Sequence, residues 1–253
     1  MNAVGIIPAR YASTRLPGKP LLSQTGKPLI QHVYEQVQKA RTLQRLIVAT
    51  DDERIRKAVE RFGGMAMLTD PAHRCGTDRI ADAARSIEAD IIVNIQGDEP
   101  DIDPAAIDAV VSCLARESDI PVATAATECL EVEKFLNPHV VKVVLDRRGR
   151  ALYFSRSPLP GSKVPPAGTL LLRPFLWHLG LYAYRRDFLL QFPALPPSAL
   201  EEAEELEQLR VLEAGHPIAV VVVSCRPGGI DTPDQYAEFV RRYQKERLSD
   251  THP

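Results

Sequence analysis

Arg10, Arg15, Lys19 and Lys27 fall within residues 6–28 among Pro, Gly, Ser and Thr, with no Asp or Glu between them. The segment follows the apolar run Ala3-Val4-Gly5-Ile6-Ile7, which reads as a buried first strand. It has no helix or strand periodicity of its own, so it is a loop hung on a strand end. Uncompensated cations in one loop repel each other. The arrangement suits a polyanion, because Arg, Lys and backbone N–H groups form charge-assisted hydrogen bonds to phosphate oxygens. The spacing is neither that of a P-loop nor the glycine fingerprint of a dinucleotide fold. A single Lys or Arg is more often a solvated surface charge; four in an acid-free loop favour a phosphate site.

Two acidic segments can complement it. Gln96-Gly97-Asp98-Glu99-Pro100 follows directly on the apolar run 91–95. A carboxylate at a strand's end, with Gly beside it, is a common way to hold Mg²⁺, which takes only one or two protein carboxylates. An isolated Asp is more often a surface or capping acid, but the phosphate loop on the same rim favours the metal role for Asp98. Late in the chain, Gly228-Gly229-Ile230-Asp231-Thr232-Pro233 puts Asp231 between a glycine turn and a helix start. A helix cap is the rival reading there, although Thr232 already fills that position before Pro233.

The elements that must position these residues alternate. Strands are expected at 3–7, 46–49, 65–68 and 91–95. Helices follow: one from Leu29 towards Arg41, one behind Asp51 or Asp52, one behind Thr77, and one at Pro104 behind Asp103. This rhythm means βαβ units and a mostly parallel sheet, whose ligands lie beyond the carboxyl ends of the strands. From residue 140 the pattern changes to an antiparallel hairpin, 140–146 and 150–155. A Pro- and Gly-rich loop at 157–176, a strand at 178–185, a single helix at 200–214, a strand at 218–223 and a last helix from Thr232-Pro233 complete the chain. The expectation is one α/β domain over 1–253, with 140–185 as a hairpin and loop sub-region.

The 253 residues are 45% hydrophobic and 25% charged, enough for a substantial core. A net charge of −2 argues against a general nucleic-acid or membrane-surface binder. Cys75, Cys113, Cys129 and Cys225 are scattered without a metal-binding spacing and read as reduced, three of them core. The chain enters a strand at once, without a signal peptide, and has no apolar run long enough to span a bilayer. A cytoplasmic address is expected.

The run from Ile7 to Leu21, with Gln-Gly-Asp-Glu-Pro at 96–100 and Gly-Ile-Asp-Thr-Pro-Asp at 229–234, resembles the CMP-Kdo synthetase (3-deoxy-manno-octulosonate cytidylyltransferase) family of nucleotide-sugar-forming nucleotidyltransferases. Gly76-Thr77-Asp78-Arg79, the 141–156 hairpin, 178–184 and 206–210 match it too, with Cys75 where Ser is usual. The likeness implies a Rossmann-like nucleotidyltransferase fold, with a mostly parallel sheet and a hairpin that serves sugar binding and dimerisation. It implies CTP and Kdo as substrates, pyrophosphate as the leaving group, CMP-Kdo for lipopolysaccharide biosynthesis as product, and a homodimer. Asp98 and Asp231 are then the ligands of a catalytic Mg²⁺, with Arg10 and Lys19 the catalytic cations. Pro8, Ala9, Arg10, Arg15, Lys19, Gly76, Thr77, Arg79 and Asp98 bind the nucleotide. Gln96, Arg156, His178, Tyr182, Glu207 and Gln208 line the sugar site, Arg156 as a fork for the carboxylate. The alternatives are a cytidylyltransferase for another sugar acid, such as 8-amino-Kdo or a sialic-type acid, and a catalytically silent nucleotide-sugar sensor.

Overall fold

The computed structural model describes residues 1–12, 16–73, 75–161, 168–226 and 228–250; Arg15, part of the expected phosphate loop, lies outside them. Strand β1 (Ala3–Ala9) is buried along nearly its whole length between β2 (Leu43–Thr50) and β4 (Ile91–Asn94), parallel to both. Parallel strands covered on both faces have no use for a polar face, which is why these segments read as continuous apolar runs. Strand β3 (Met65–Leu68) adds a parallel edge to β2.

Among the described residues the sheet has nine strands, in the order β3-β2-β1-β4-β8-β5-β9, with β6 paired to β8 and β7 to β6. Here β5 is Val122–Glu131, β6 Lys142–Leu145, β7 Ala151–Ser155, β8 Leu170–Arg185 and β9 Ile218–Val222. Strand β8 runs antiparallel to both β4 and β5, while β9 is parallel to β5. The chain leaves β1 to build one wing and returns at β4 to begin the other. The crevice between the ends of β1 and β4 is therefore the switch point at which open α/β sheets bind ligands.

Alternate residues of the strands feed two cores. On one face Ile7, Val93 and Leu181 pack under α1 (Leu29–Val37), α2 (Glu53–Arg61) and α4 (Pro104–Arg116). On the other, Ile6, Ile92 and Tyr182 meet α3 (Gly76–Arg85). The short helix α5 (Val132–Leu136) follows β5, and α6 (Arg186–Gln191) follows β8. Asp52 and Asp103 cap α2 and α4 through their side chains, as the sequence leads one to expect.

Four local expectations are corrected. The segment 200–214 is two helices, α7 (Ala199–Glu204) and α8 (Gln208–Glu213), because Glu205 turns left-handed at φ 51 and ends the first. Residues 170–176, taken from their prolines as loop, are the start of β8 and pair with β5 at Cys129 and Glu131. Pairing with a long partner strand outweighs the local composition there. Cys75, not Thr77, caps α3, its Sγ accepting from Asp78 N. All four cysteines are free and half-buried, so none is a true core residue.

The last helix, α9 (Pro233–Asp250), docks on α1 through a small cluster of Leu16, Leu29, Ile230, Tyr236, Phe239 and Val240. The buried His32 of α1 meets Phe239 and Tyr243 edge-on, with ring centroids 5.1 and 4.7 Å away. Tyr236 accepts from Gln24 N at 3.0 Å. These contacts bring the 228–231 segment, far away in sequence, over the loop that follows β1.

Beneath the rim, Arg79 is fully buried and donates to Asp51 Oδ2 at 2.7 Å and to Thr69 Oγ1, tying α3 to the ends of β2 and β3. Removing one member of such a pair strands the other charge. Arg79→Leu is expected to lower the unfolding free energy by about 3 kcal/mol, read as a drop in the urea midpoint. An unchanged midpoint would mean that desolvation of the guanidinium cancels the pair's benefit.

Candidate active site

The loop after β1 closes on itself through Gly18, whose N–H donates to Tyr11 O at 3.0 Å and whose φ of +65° suits glycine. Across the switch point, Gly97 lets the segment after β4 lie against β1, since a Cβ there would stand 2.8 Å from Pro8 O. Between them opens a pocket of about 420 Å³. Pro8, Ala9, Arg10, Lys19, Gly76, Gln96, Asp98 and Asp231 all border it, so most of the residues assigned from sequence to the nucleotide and the metal meet here.

At its mouth the Lys19 ammonium donates to Asp98 Oδ2 at 2.6 Å, to Asp231 Oδ1 at 3.3 Å and to Ile230 O at 2.8 Å. A backbone bond from Ile230 N to Asp98 O, 2.9 Å, stitches the two acidic segments together. Two carboxylates at about 4 Å repel by about 4 kcal/mol at an effective dielectric of 20. A cation has to stand between them, and here the chain supplies it. The neighbouring Glu99 does not add a third negative charge: burial, and then the charges of Asp98 and Asp231, push its pKa up to about 8. Among the described residues no group of three or more His, Cys, Asp or Glu is placed to hold a metal. A pair of acids open to a phosphate pocket nevertheless suits Mg²⁺, which completes its shell with water and phosphate oxygens.

The loop's cations are less alike than the sequence suggests. Arg10 donates to His73 O at the pocket wall. Lys27 instead turns to Glu35 of α1, 2.7 Å away, so an acid outside the loop compensates it.

The face of the sheet beneath α3 carries the other group. Thr77 donates to Glu207 Oε2 at 2.6 Å, joining the nucleotide wall to the residue before α8. Next to it Gln208 is buried, and its Nε2 finds no partner among the described residues. His178 and Tyr182 follow along β8 with ring centroids 5.3 Å apart. Burial pushes the His178 pKa down to about 3 and that of the Tyr182 phenol well up, so both are neutral. Gln96 lies between the two groups and donates to Gly180 O at 3.0 Å. His178, Gly180, Glu99 and Asp231 also border a second cleft, of about 550 Å³, beside the pocket.

Two assigned residues are placed differently. Arg79 lies beneath the surface on Asp51, as described above. The Arg156 guanidinium is engaged by main chain, donating to Glu204 O at 2.7 Å, Pro138 O at 3.2 Å and Glu205 O at 3.3 Å. Sequence reasoning passed over its partner, Lys142. This ammonium is fully buried and donates to the carbonyls of Asn137, Val140 and Arg156 at 2.7–2.8 Å. Together the two cations tie the hairpin and the 137–140 turn to the end of α7, and so to Glu207 and Gln208. The available signal was a lone Lys within the apolar run 140–145.

A sheet of this order, with a cationic loop after its first strand and paired acids on its rim, is that of a nucleotidyltransferase. The family described as Cytidylyltransferase matches residues 4–218, and the chain belongs to it. It is 50% identical to the 3-deoxy-manno-octulosonate cytidylyltransferase of Geobacter metallireducens, over 96% of this chain and 100% of that one. It is 52% identical to the protein of the same name from Syntrophobacter fumaroxidans, over 95% of this chain and 96% of that one. A solved CMP:2-keto-3-deoxy-manno-octonic acid synthetase complexed with CTP superposes with a TM-score of 0.90 at 42% identity, covering 97% of this chain and 100% of that one.

Because the pKa of His178 lies below the ordinary histidine value of 6.5 in the folded chain, unfolding takes up a proton as pH falls through that range. Stability is then full above pH 6.5 and declines towards the folded value near 3. From this residue alone the loss by pH 5 is about 2 kcal/mol. The urea midpoint is expected to fall between pH 7 and 5, with a shallower slope in His178→Asn; identical slopes would show that His178 is not the group being titrated.

Proposed function

We propose that the chain is a Mg²⁺-dependent cytidylyltransferase that transfers CMP from CTP to the anomeric hydroxyl of 3-deoxy-D-manno-octulosonate (Kdo) and releases pyrophosphate. The observation that carries this reading is the convergence of Asp98 and Asp231 on one ammonium at the mouth of the β1 pocket. The names and coverage of the relatives give the substrates. Bound by Asp98 and Asp231, Mg²⁺ supplies charge neutralisation at the α-phosphate and lowers the pKa of the attacking hydroxyl. The chain itself does the rest. Arg10 and Lys19, with Arg15 in the same loop, neutralise the departing diphosphate. Gly76 and Thr77 wall the nucleotide. Gln96, His178, Tyr182, Glu207 and Gln208 orient the sugar's hydroxyls, so that transfer depends on position and charge rather than on a protein nucleophile. Arg156 serves the same wall through the main chain of Glu204 and Glu205.

The same reading carries a cytoplasmic address, where CTP is made, and a role in supplying activated Kdo for lipopolysaccharide. No helix among the described residues is long and apolar enough to cross a membrane. It also carries a homodimer. Leu172 is fully exposed, Leu170 and Leu152 are 60% and 62% exposed, and Leu130 stands beside the β5 partner of Leu170. An exposed apolar group of this kind suits a self-complementary contact.

Pyrophosphate release assayed with each of the four nucleoside triphosphates, with and without Kdo, is expected only with CTP and Kdo together. It should stop with chelator and return with Mg²⁺. Asp98→Asn is expected to lower turnover at least about 100-fold with the fold intact; near-normal CMP-Kdo formation by that variant would remove the metal assignment. A panel of other sugar acids with CTP separates Kdo from its relatives. In sedimentation, Leu172→Glu is expected to turn a dimer into a monomer, and a mass unchanged from wild type would move the interface elsewhere.

A further inference from the structure

Thr124 lies in β5, fully buried, facing β8. A hydroxyl has one hydrogen to donate and lone pairs to accept with. The Thr124 hydroxyl stands 2.7 Å from Leu181 O, a close acceptor, and 3.4 Å from Leu179 O, too far to compete. Its single hydrogen is therefore committed to the main chain of β8. The third neighbour is His178 Nε2 at 3.0 Å, and towards that atom Thr124 Oγ1 can only accept. Nε2 must then carry the ring hydrogen. The ring sits between Phe154 and Tyr182, centroids 4.9 and 5.3 Å away, and among the described residues no carboxylate hydrogen-bonds it to favour a second proton. In a neutral imidazole protonated at Nε2, the other nitrogen, Nδ1, is an acceptor and nothing else. His178 borders the cleft shared with Gly180, Glu99 and Asp231.

We propose that Thr124 is a positioning residue that locks His178 as the Nε2–H tautomer, so that the imidazole presents an obligate acceptor to the sugar acid. The proposal rests on the assignment of His178 to the sugar pocket, and it adds a rule of discrimination. The group of the acid that meets His178 must donate: a hydroxyl passes, whereas a keto, fluoro or methoxy group at that carbon puts acceptor against acceptor. Glu207 also accepts, so acceptors at this wall select a polyol by its O–H groups.

The test uses the full-length chain labelled with ¹⁵N-histidine, and reads the tautomer from long-range ¹H–¹⁵N correlations. In wild type, His178 is expected to show a protonated Nε2 and a bare Nδ1. Thr124→Val keeps the shape but removes the acceptor, and should move His178 into a tautomer mixture. The same variant should raise KM for Kdo about 10-fold, the worth of one hydrogen bond, while KM for CTP stays within about twofold. Thr124→Ser should restore both the tautomer and KM. A proton on Nδ1 in wild type would overturn the proposal, as would an unchanged tautomer in Thr124→Val or an equal rise in both KM values. The wild-type tautomer is measured without any acid or nucleotide, so it judges this inference alone. Failure of wild-type protein to turn over Kdo would instead count against the functional reading.

Discussion

Two like charges held at one point are the constraint on which the rest of this molecule depends. Asp98 and Asp231 are far apart in the sequence, and nothing in their own segments' composition draws them together. What holds them is geometry imposed from outside: Gly97 lets the end of β4 approach β1, and α9 is pinned to α1 by an aromatic cluster around His32. The repulsion is then met by Lys19, which the turn at Gly18 delivers from a third segment. Fold energy spent in the small α1–α9 core thus becomes electrostatic tension at the pocket mouth. That tension suits the divalent ion and polyphosphate of the proposed reaction.

The sheet beneath α3 follows another rule. Burial keeps the side chains of His178 and Tyr182 neutral there. Where charge is buried, as at Lys142, it is given to main-chain carbonyls, and the half-buried Arg156 is engaged in the same way. Under the proposed function this is what a polyhydroxylated sugar calls for, fixed donors and acceptors rather than mobile charge, and burial fixes them. The left-handed turn at Glu205 belongs to this scheme, because it breaks one helix into two and sets Glu207 against Thr77.

Much of this was legible in the sequence, for physical reasons. The alternation of apolar runs and capped helices in residues 1–116 exposes the parallel half directly, because buried parallel strands cannot hide their composition. The cation-rich loop after β1 was legible as a loop, and it does place Arg10 and Lys19 at the pocket, whereas Lys27 turns away to Glu35. The second half resisted. Strand β5 carries Ala and Thr rather than Val and Ile over much of its length, so its composition announces little. The start of β8 was masked by prolines, and the helix break at Glu205 has no glycine to mark it. Partners were the hardest to see. Spacing cannot reveal that Lys27 is answered by Glu35, that Arg79 is buried on Asp51, or that the Arg156 fork is already engaged.

Strand β8 is 16 residues long, a span of about 50 Å at ~3.3 Å per residue. One end carries the bare leucines 170 and 172 to the surface, and farther along it holds the buried His178 and Tyr182. Under the proposed function, a body that settled on the outer leucines would load the same strand that holds two of the residues assigned to the sugar. Assembly and sugar choice would then be linked along one strand, whose two shifts of register against β5 mark where it departs from a straight ladder.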